Sequence, residues 1–529
     1  MTIGGARPGM VLSYTDDFEV VWEDPENANR SWVLDRLHCP WPLPPMSQAM
    51  YERLLAIAFG VPVVYVNGYA FGLNFGPPPP TPEVEARGPV AIWQEEFQPR
   101  VREHCVAMRT RDYESMSAQE LFSALPRYFD ETAEAFRYTT IVIFAFLRPT
   151  SALISFLEAE LGDEAGPLAA RLLQGFDNET TAAGLGLGEI TRLAASLPEV
   201  AEALKAGRYA DLESVREGPQ FLARMRAYLD EFGWRSDSWY LFHLPTWAED
   251  ETKLLTLLSR HLADPSRSPE AALERSAAIR SAAVREVEAR LPRHKLERFR
   301  ELLAASNDHV AISEGRAFWQ LQICGCGRQP VIALGRKLAR AGAIDEPNDV
   351  FYLTLEQAGE AVRRPSGPWR QAVAAAKAEL ARCQRLTPPS YLGVPPSMDT
   401  APPDLRGVMR FLRGYGVERS TEPGRINGVG ASKGTVKARA RIVHSLEESH
   451  RLQPGEVLVC RTTAPPWTSL FSIAGAVVTD AGGLLSHTAI CAREFGIPAV
   501  VATQVATARI PDGAMVTVDG EKGVVLIEG

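Results

Sequence analysis

Thr479-Asp480-Ala481-Gly482-Gly483-Leu484-Leu485-Ser486-His487-Thr488-Ala489-Ile490-Cys491-Ala492-Arg493-Glu494-Phe495-Gly496-Ile497-Pro498-Ala499-Val500 is the stretch on which the reading of this chain turns. The apolar run Ala476-Val477-Val478-Thr479 predicts a buried strand that enters two adjacent glycines. Ser486, His487 and Thr488 then open a helix that Gly496 stops, with a hydroxyl at its start and a glycine past its end. Other short β-rich runs surround it, at 438–443, 457–460, 499–502, 515–518 and 524–527, separated by Gly and Pro-Asp-Gly turns. Residues 425–529 therefore predict a small α/β domain.

The same stretch concentrates chemistry. Gly482 and Gly483 let backbone approach a ligand with no Cβ in the way. A helix N-terminus supplies unpaired N–H groups and partial positive charge suited to phosphate, to which Ser486 and Thr488 add hydroxyls. A neutral ring nitrogen of His487 at that point can attack phosphorus. The plainer reading is a capped core helix whose histidine only packs.

Outward from this domain the texture changes. Residues 386–424 are rich in proline and poor in periodicity, and predict a linker. Residues 91–385 are dominated by Ala, Leu, Glu and Arg, with apolar residues at helical spacing, as in Leu254, Leu257, Leu258 and Leu262. They predict roughly nine to eleven helices. The apolar run at 139–147 is too short to span a bilayer and predicts a buried helix. Residues 1–90 carry Trp32, Trp41 and many prolines, which predict an extended strap over the helical body rather than long helices. The expected architecture is multidomain: a large, mainly α-helical domain at 91–385 followed by a small α/β domain at 425–529.

Composition excludes several classes. The chain has 529 residues, enough for about three domains by the usual prior, with 46% hydrophobic and 23% charged residues. Its formal charge of −9 argues against a nucleic-acid partner, and no run suits a membrane. Seven scattered cysteines and an opening without a signal-peptide pattern predict a reduced, cytoplasmic setting. Cys324-Gly325-Cys326 lacks the further ligands of a zinc set, so no metal site is expected in this chain.

From Gly482 to Val500 the chain resembles the phosphohistidine domain of the PEP-utilising enzymes, whose pattern runs approximately G-G-x-x-S-H-x-A-I-x-A-R-E-x-G-I-P-A-V. Gly428 to Gly434 and Gly455 to Thr463 resemble that domain's opening turn and second strand. The resemblance implies that His487 accepts a phosphoryl group as a covalent phosphohistidine, beside Gly482, Gly483, Ser486, Thr488 and Arg493. It also implies a domain that swings between donor and acceptor sites. Leu485 stands where pyruvate phosphate dikinases carry a regulatory threonine, so that regulation is not expected.

The remainder resembles the substrate domain of rifampicin phosphotransferases at Trp32 to Pro45, Gly233-Trp234-Arg235, Pro245 to Glu249, Gly335 to Leu338 and Asp349 to Thr354, the last two as a closing helix and strand. Trp239 and Leu241 replace acidic residues, and Ser313 precedes Glu314 where an Arg-Glu pattern is usual. A smaller aromatic alcohol or phenol therefore fits better than rifampicin. Trp239, Tyr240, His243, Trp247, Phe318 and Trp319 are the candidate pocket, although aromatics at such spacings are more often plain core. Arg235, Arg316 and Arg328 are candidate phosphate clamps; His38, His243, His309 and Glu314 are candidate bases.

With neither a glycine-rich ATP segment nor an alternating β/α barrel in the sequence, the chain resembles the carrier and acceptor subunit of phenylphosphate-synthase-type two-component enzymes. That implies a separate ATP-grasp subunit holding ATP and Mg2+, and a small hydroxyl or phenol substrate. An antibiotic acceptor and a non-catalytic phosphohistidine relay are the alternatives.

Overall fold

The computed structural model describes residues 11–15, 18–22, 24–36, 39–73, 80–236, 240–263, 269–386, 388–395, 420, 422–484 and 486–528. The chain divides into two compact units. The first takes residues 1–144, 239–245 and 319–401; the second takes 145–238, 246–318 and 402–529.

In the first unit, strands β1 (Val11–Thr15) and β2 (Phe18–Val21) form an antiparallel hairpin. Strands β3 (Ser31–Leu34), β4 (Val63–Val66), β5 (Tyr69–Leu73) and β6 (Tyr391–Gly393) form an antiparallel sheet in the order β4-β5-β3-β6. Phe18, Trp22, Trp32, Tyr69, Phe71 and Leu392 bury together. The segment expected as a linker thus contributes an edge strand; its residues 387, 396–419 and 421 lie outside the described residues.

Two local expectations differ from what forms. The proline-rich start contains a 14-residue helix, Pro45–Ala58, because its prolines fall at the entry. Pro45 takes the first helical turn, where a missing N–H goes unused anyway. The expected strand near Asp349–Thr354 is instead the short helical turn Pro347–Tyr352. Asp349 Oδ2 accepts from the backbone N–H groups of Asp345 (3.2 Å) and Glu346 (3.1 Å), and Lys377 Nζ pairs with Oδ1 at 2.6 Å. A carboxylate that caps its own turn draws the backbone away from a sheet.

Helix Ala118–Thr140 starts at the reciprocal cap between Ser117 and Glu120. The apolar run at 139–147 is split by a turn at 141–142, after which helix Ile143–Leu161 begins. In the second unit, helices Glu179–Ser196, Pro198–Lys205, Gly218–Phe232 and Glu251–Ala263 share a core. That core includes Leu187, Ile190, Phe221, Met225, Leu254 and Leu258. Each such buried side chain contributes about 1.5–3 kcal/mol of hydrophobic free energy.

The C-terminal part of the second unit is one sheet of eight strands. These are β7 (Arg425–Asn427), β8 (Val429–Ser432), β9 (Thr435–Ile442), β10 (Val457–Cys460), β11 (Ala476–Thr479), β12 (Ala499–Val501), β13 (Met515–Asp519) and β14 (Val524–Ile527). Their order is β7-β14-β13-β9-β10-β11-β12-β8. Strands β9, β10, β11 and β12 run parallel; the flanking strands are antiparallel. Every residue of β10 and β11 is buried, as expected for parallel strands covered on both faces. The large helical region and small α/β domain expected from the sequence are the architecture observed.

Candidate functional site

The site grows from the carboxyl ends of β10 and β11, where loops of a parallel sheet gather side chains. After β11, Asp480 ties the turn down. Its Oδ1 accepts from Thr507 N at 3.1 Å and Thr503 Oγ1 at 3.3 Å, while Oδ2 accepts from the Thr507 hydroxyl. Gly482 then takes φ +116°, where a Cβ would lie 2.9 Å from Ser486 Oγ. The turn closes with Ser486 N donating to Gly483 O at 3.0 Å.

Helix His487–Phe495 follows. Ser486 is its N-cap, with Oγ accepting from Ala489 N at 3.4 Å, and Gly496 ends it in the left-handed conformation at φ +66°. Thr488 Oγ1 bonds Thr463 Oγ1 at 2.8 Å, which holds the first turn against the loop after β10. Arg493 Nη1 donates to Ala431 O at 3.0 Å and so braces the helix against β8.

His487 is placed by three neighbours. Its Nε2 lies 3.3 Å from Thr468 Oγ1 and 3.4 Å from Cys491 Sγ, one helical turn along. Cys491 Sγ also lies 3.7 Å from Nδ1. Burial pushes the imidazole down to about 3; a hydrogen bond to the Ala464 backbone works the other way, and the Arg235 charge lowers it further. The ring is therefore neutral near pH 7, the form with a free lone pair.

Arg235 is 5% exposed and stacks over Trp247 at 5.2 Å and Phe318 at 5.6 Å. Beside it the second unit holds a partly open cavity of about 110 Å3. Its wall includes Leu187, Tyr228, Arg235, Trp247 and His261 from the helices, and Thr468, Cys491, Glu494 and Phe495 from the α/β domain. Two of the groups that touch His487, Thr468 and Cys491, are thus also cavity wall. Burial pushes His261 down to about 4.

Of the residues singled out by sequence, Gly482, Gly483, Ser486, His487 and Thr488 cluster, and Arg235 and Trp247 join them across the cavity. Phe318 lies beneath the Arg235 guanidinium and against Phe232 at 6.0 Å. Tyr240 belongs to the first unit, packed on Tyr51 (5.2 Å) and Phe136 (5.4 Å). His243 is buried there too, pushed down to about 3 by burial and by Arg328, whose Nε donates to Phe242 O at 3.2 Å. Trp319 also lies in the first unit, under the Arg102 guanidinium at 5.8 Å. Arg316 rides the long helix Leu296–Gly327, and the His309 ring is engaged by Ala305 O on that helix. His38, Trp239, Leu485 and the Glu314 side chain lie outside the described residues. Thr468, Cys491, Tyr228 and His261 were missed. Of these only Cys491, four residues after His487 on the same helix, had a signal in the spacing.

Residues 452–523 match the family described as PEP-utilising enzyme, mobile domain, and residues 138–314 match the rifampicin phosphotransferase fourth domain. The chain is 32% identical to part of a chondramide synthase of Chondromyces crocatus, over 97% of this chain and 14% of that protein. It is 30% identical to an uncharacterised phosphotransferase of Bacillus subtilis, over 60% of this chain and 37% of the relative. A rifampicin phosphotransferase of Streptomyces sviceus is 29% identical over 80% of this chain and 48% of its own length. The chain thus spans less than half the length of each of these relatives.

Proposed function

We propose, for a chain that carries the mobile domain of the PEP-utilising enzymes beside a helical domain of rifampicin phosphotransferase type, that it transfers phosphate through His487 to a small hydroxyl compound. The observation that carries this is the shared wall: Thr468 and Cys491 touch the imidazole and also line the cavity.

In the first half-reaction, ATP bound on a separate ATP-grasp protein, with its Mg2+, donates its β-phosphoryl group. The lone pair of a His487 ring nitrogen forms the N–P bond, and with water the other products are AMP and inorganic phosphate. Nε2 is the nitrogen we assign, because it faces the cavity-lining Thr468 and Cys491. In the second half-reaction the acceptor oxygen attacks phosphorus, the N–P bond breaks, and its electron pair returns to the ring. The hydroxyl proton passes to a base on the cavity wall, where His261 supplies a neutral imidazole. Arg235 offsets charge on the phosphoryl oxygens.

A phenolic or otherwise aromatic acceptor is favoured by the apolar wall and by Trp247 and Tyr228. Similarity to rifampicin phosphotransferases supports a natural-product acceptor as the second reading, since each of those relatives is named for such a substrate.

The experiment is incubation of the chain with an ATP-grasp protein, ATP labelled at the β-phosphate, and a panel of phenols. Wild type should become labelled and then pass label to a small molecule; His487→Ala should do neither. His261→Gln should be labelled normally but transfer about 10²-fold more slowly. Product formed at the wild-type rate by His487→Ala would overturn the assignment. Label that stays on the protein with every acceptor would favour a relay instead.

A further inference from the structure

A second, partly open cavity of about 350 Å3 lies against the first and shares Trp247, Leu257 and Pro466 with it. Its remaining wall is of a different kind. Lys253, Arg260 and His450 face it, against one carboxylate, Asp250. That carboxylate is turned to its own helix start, where Oδ1 accepts from Thr252 N at 3.2 Å and from the Thr252 hydroxyl. Thr256 and Ser449 add hydroxyls to the wall.

Arg260 is the telling residue. It is partly buried on helix Glu251–Ala263, and among the described residues its guanidinium makes no hydrogen bond or ion pair. Burial pushes it below the usual arginine value, with Tyr209 acting in the other direction. A partly desolvated cation without a counter-charge is costly to hold. A planar guanidinium is also the side chain that best meets a carboxylate or phosphate with two parallel hydrogen bonds.

We infer that this second cavity binds an anionic group, carboxylate or phosphate, borne by the same acceptor whose apolar body occupies the first cavity. The inference rests on the first cavity being the acceptor pocket. It narrows the substrate class from a simple phenol to an elongated aryl compound with an acidic end. Trp247, common to both walls, would then lie along the middle of the molecule, with the reacting hydroxyl toward Thr468 and Cys491.

The test uses the full chain with His487→Ala, so that binding is read without phosphoryl transfer. Calorimetry compares phenols bearing an alkyl chain ended by a carboxylate with the matching carboxamides, across chain lengths. At the length that spans both cavities the carboxylate should bind about tenfold more tightly. Arg260→Gln should erase that preference while leaving carboxamide affinity unchanged, and Lys253→Met should reduce it. Inorganic phosphate should compete with the carboxylates and not with the carboxamides. Equal affinity of the two series in a folded, carboxamide-binding protein would overturn the inference and leave the acceptor pocket standing. Failure of both series to bind would overturn the acceptor pocket and the inference with it. Phosphate binding that leaves carboxylate affinity untouched would mark a site for free anions and would also overturn it.

Discussion

The reactivity proposed for His487 rests on what surrounds the ring, its burial and the Arg235 charge. Burial holds the imidazole near 3 and the Arg235 charge reinforces this, so the neutral ring persists far below the pH at which an ordinary histidine protonates. Phosphorylation of His487 should therefore stay flat from about pH 8 to about pH 5, where an ordinary imidazole would already have lost most of its nucleophilic form. Rapid-quench labelling across that range measures it, and an inflection near pH 6.5 would contradict the burial. At this scale the sequence made the turn and capped helix around the proposed nucleophile plain, because Gly482 to Thr488 form a contiguous local device. Arg235 could be suspected but not placed, and Thr468 was invisible. It sits 19 residues before His487 and meets it only because β10 and β11 are adjacent and parallel. Tyr240, His243 and Trp319 were grouped with Trp247 by closeness in sequence or by type. The chain instead crosses between units at 238/239, 245/246 and 318/319, which parts them.

At the level of elements, the helix that carries His487 is short, so its ends matter more than its middle. Ser486 satisfies an otherwise orphaned N–H, and replacing a capping serine with alanine costs about 1 kcal/mol. Ser486→Ala should lower stability by that amount in urea unfolding. It should also slow phosphorylation, since His487 is the first helical residue. Gly482→Ala should be the more damaging of the two, because it meets both a positive φ and Ser486 Oγ. If Gly482→Ala matched wild type in both assays, the turn would not be what positions the ring. Six strands of the C-terminal sheet were legible as alternating or wholly apolar runs bounded by turns. β7 and β8 were not, because Arg425–Asn427 and the glycine-bearing Val429–Ser432 have little apolar pattern and gain their place from β14 and β12. The same is true of β6, whose three residues pair with β3 more than 350 positions away in sequence.

Among the described residues, burial lowers five histidines: His104 to about 4 and His243 to about 3 in the first unit, and His261 to about 4, His487 to about 3 and, without so large a shift, His444 in the second. Each folded value lies below the unfolded one of about 6.5. As pH falls past that point the unfolded chain takes up protons that the folded chain refuses. Stability is thus complete above about pH 6.5 and drains away as pH falls toward 3–4. Scanning calorimetry at about pH 7.5 and about pH 5 should show both units melting several degrees lower in acid. A melting profile unchanged over that interval would mean the histidines are not buried as described. The cavity beside His487 has its own consequence at this scale. Part of its wall, Thr468, Cys491, Glu494 and Phe495, belongs to the domain proposed to travel. An acceptor held there is gripped by the carrier as well as by the helices, so thermodynamic reciprocity applies: whatever affinity the carrier lends the acceptor, the acceptor lends the docked carrier. Acceptor should then act as an antagonist of the proposed ATP-binding partner, weakening its hold on the unphosphorylated chain in proportion to occupancy. The enzyme would be throttled by its own substrate, with the acceptor a brake on reloading until it has been consumed.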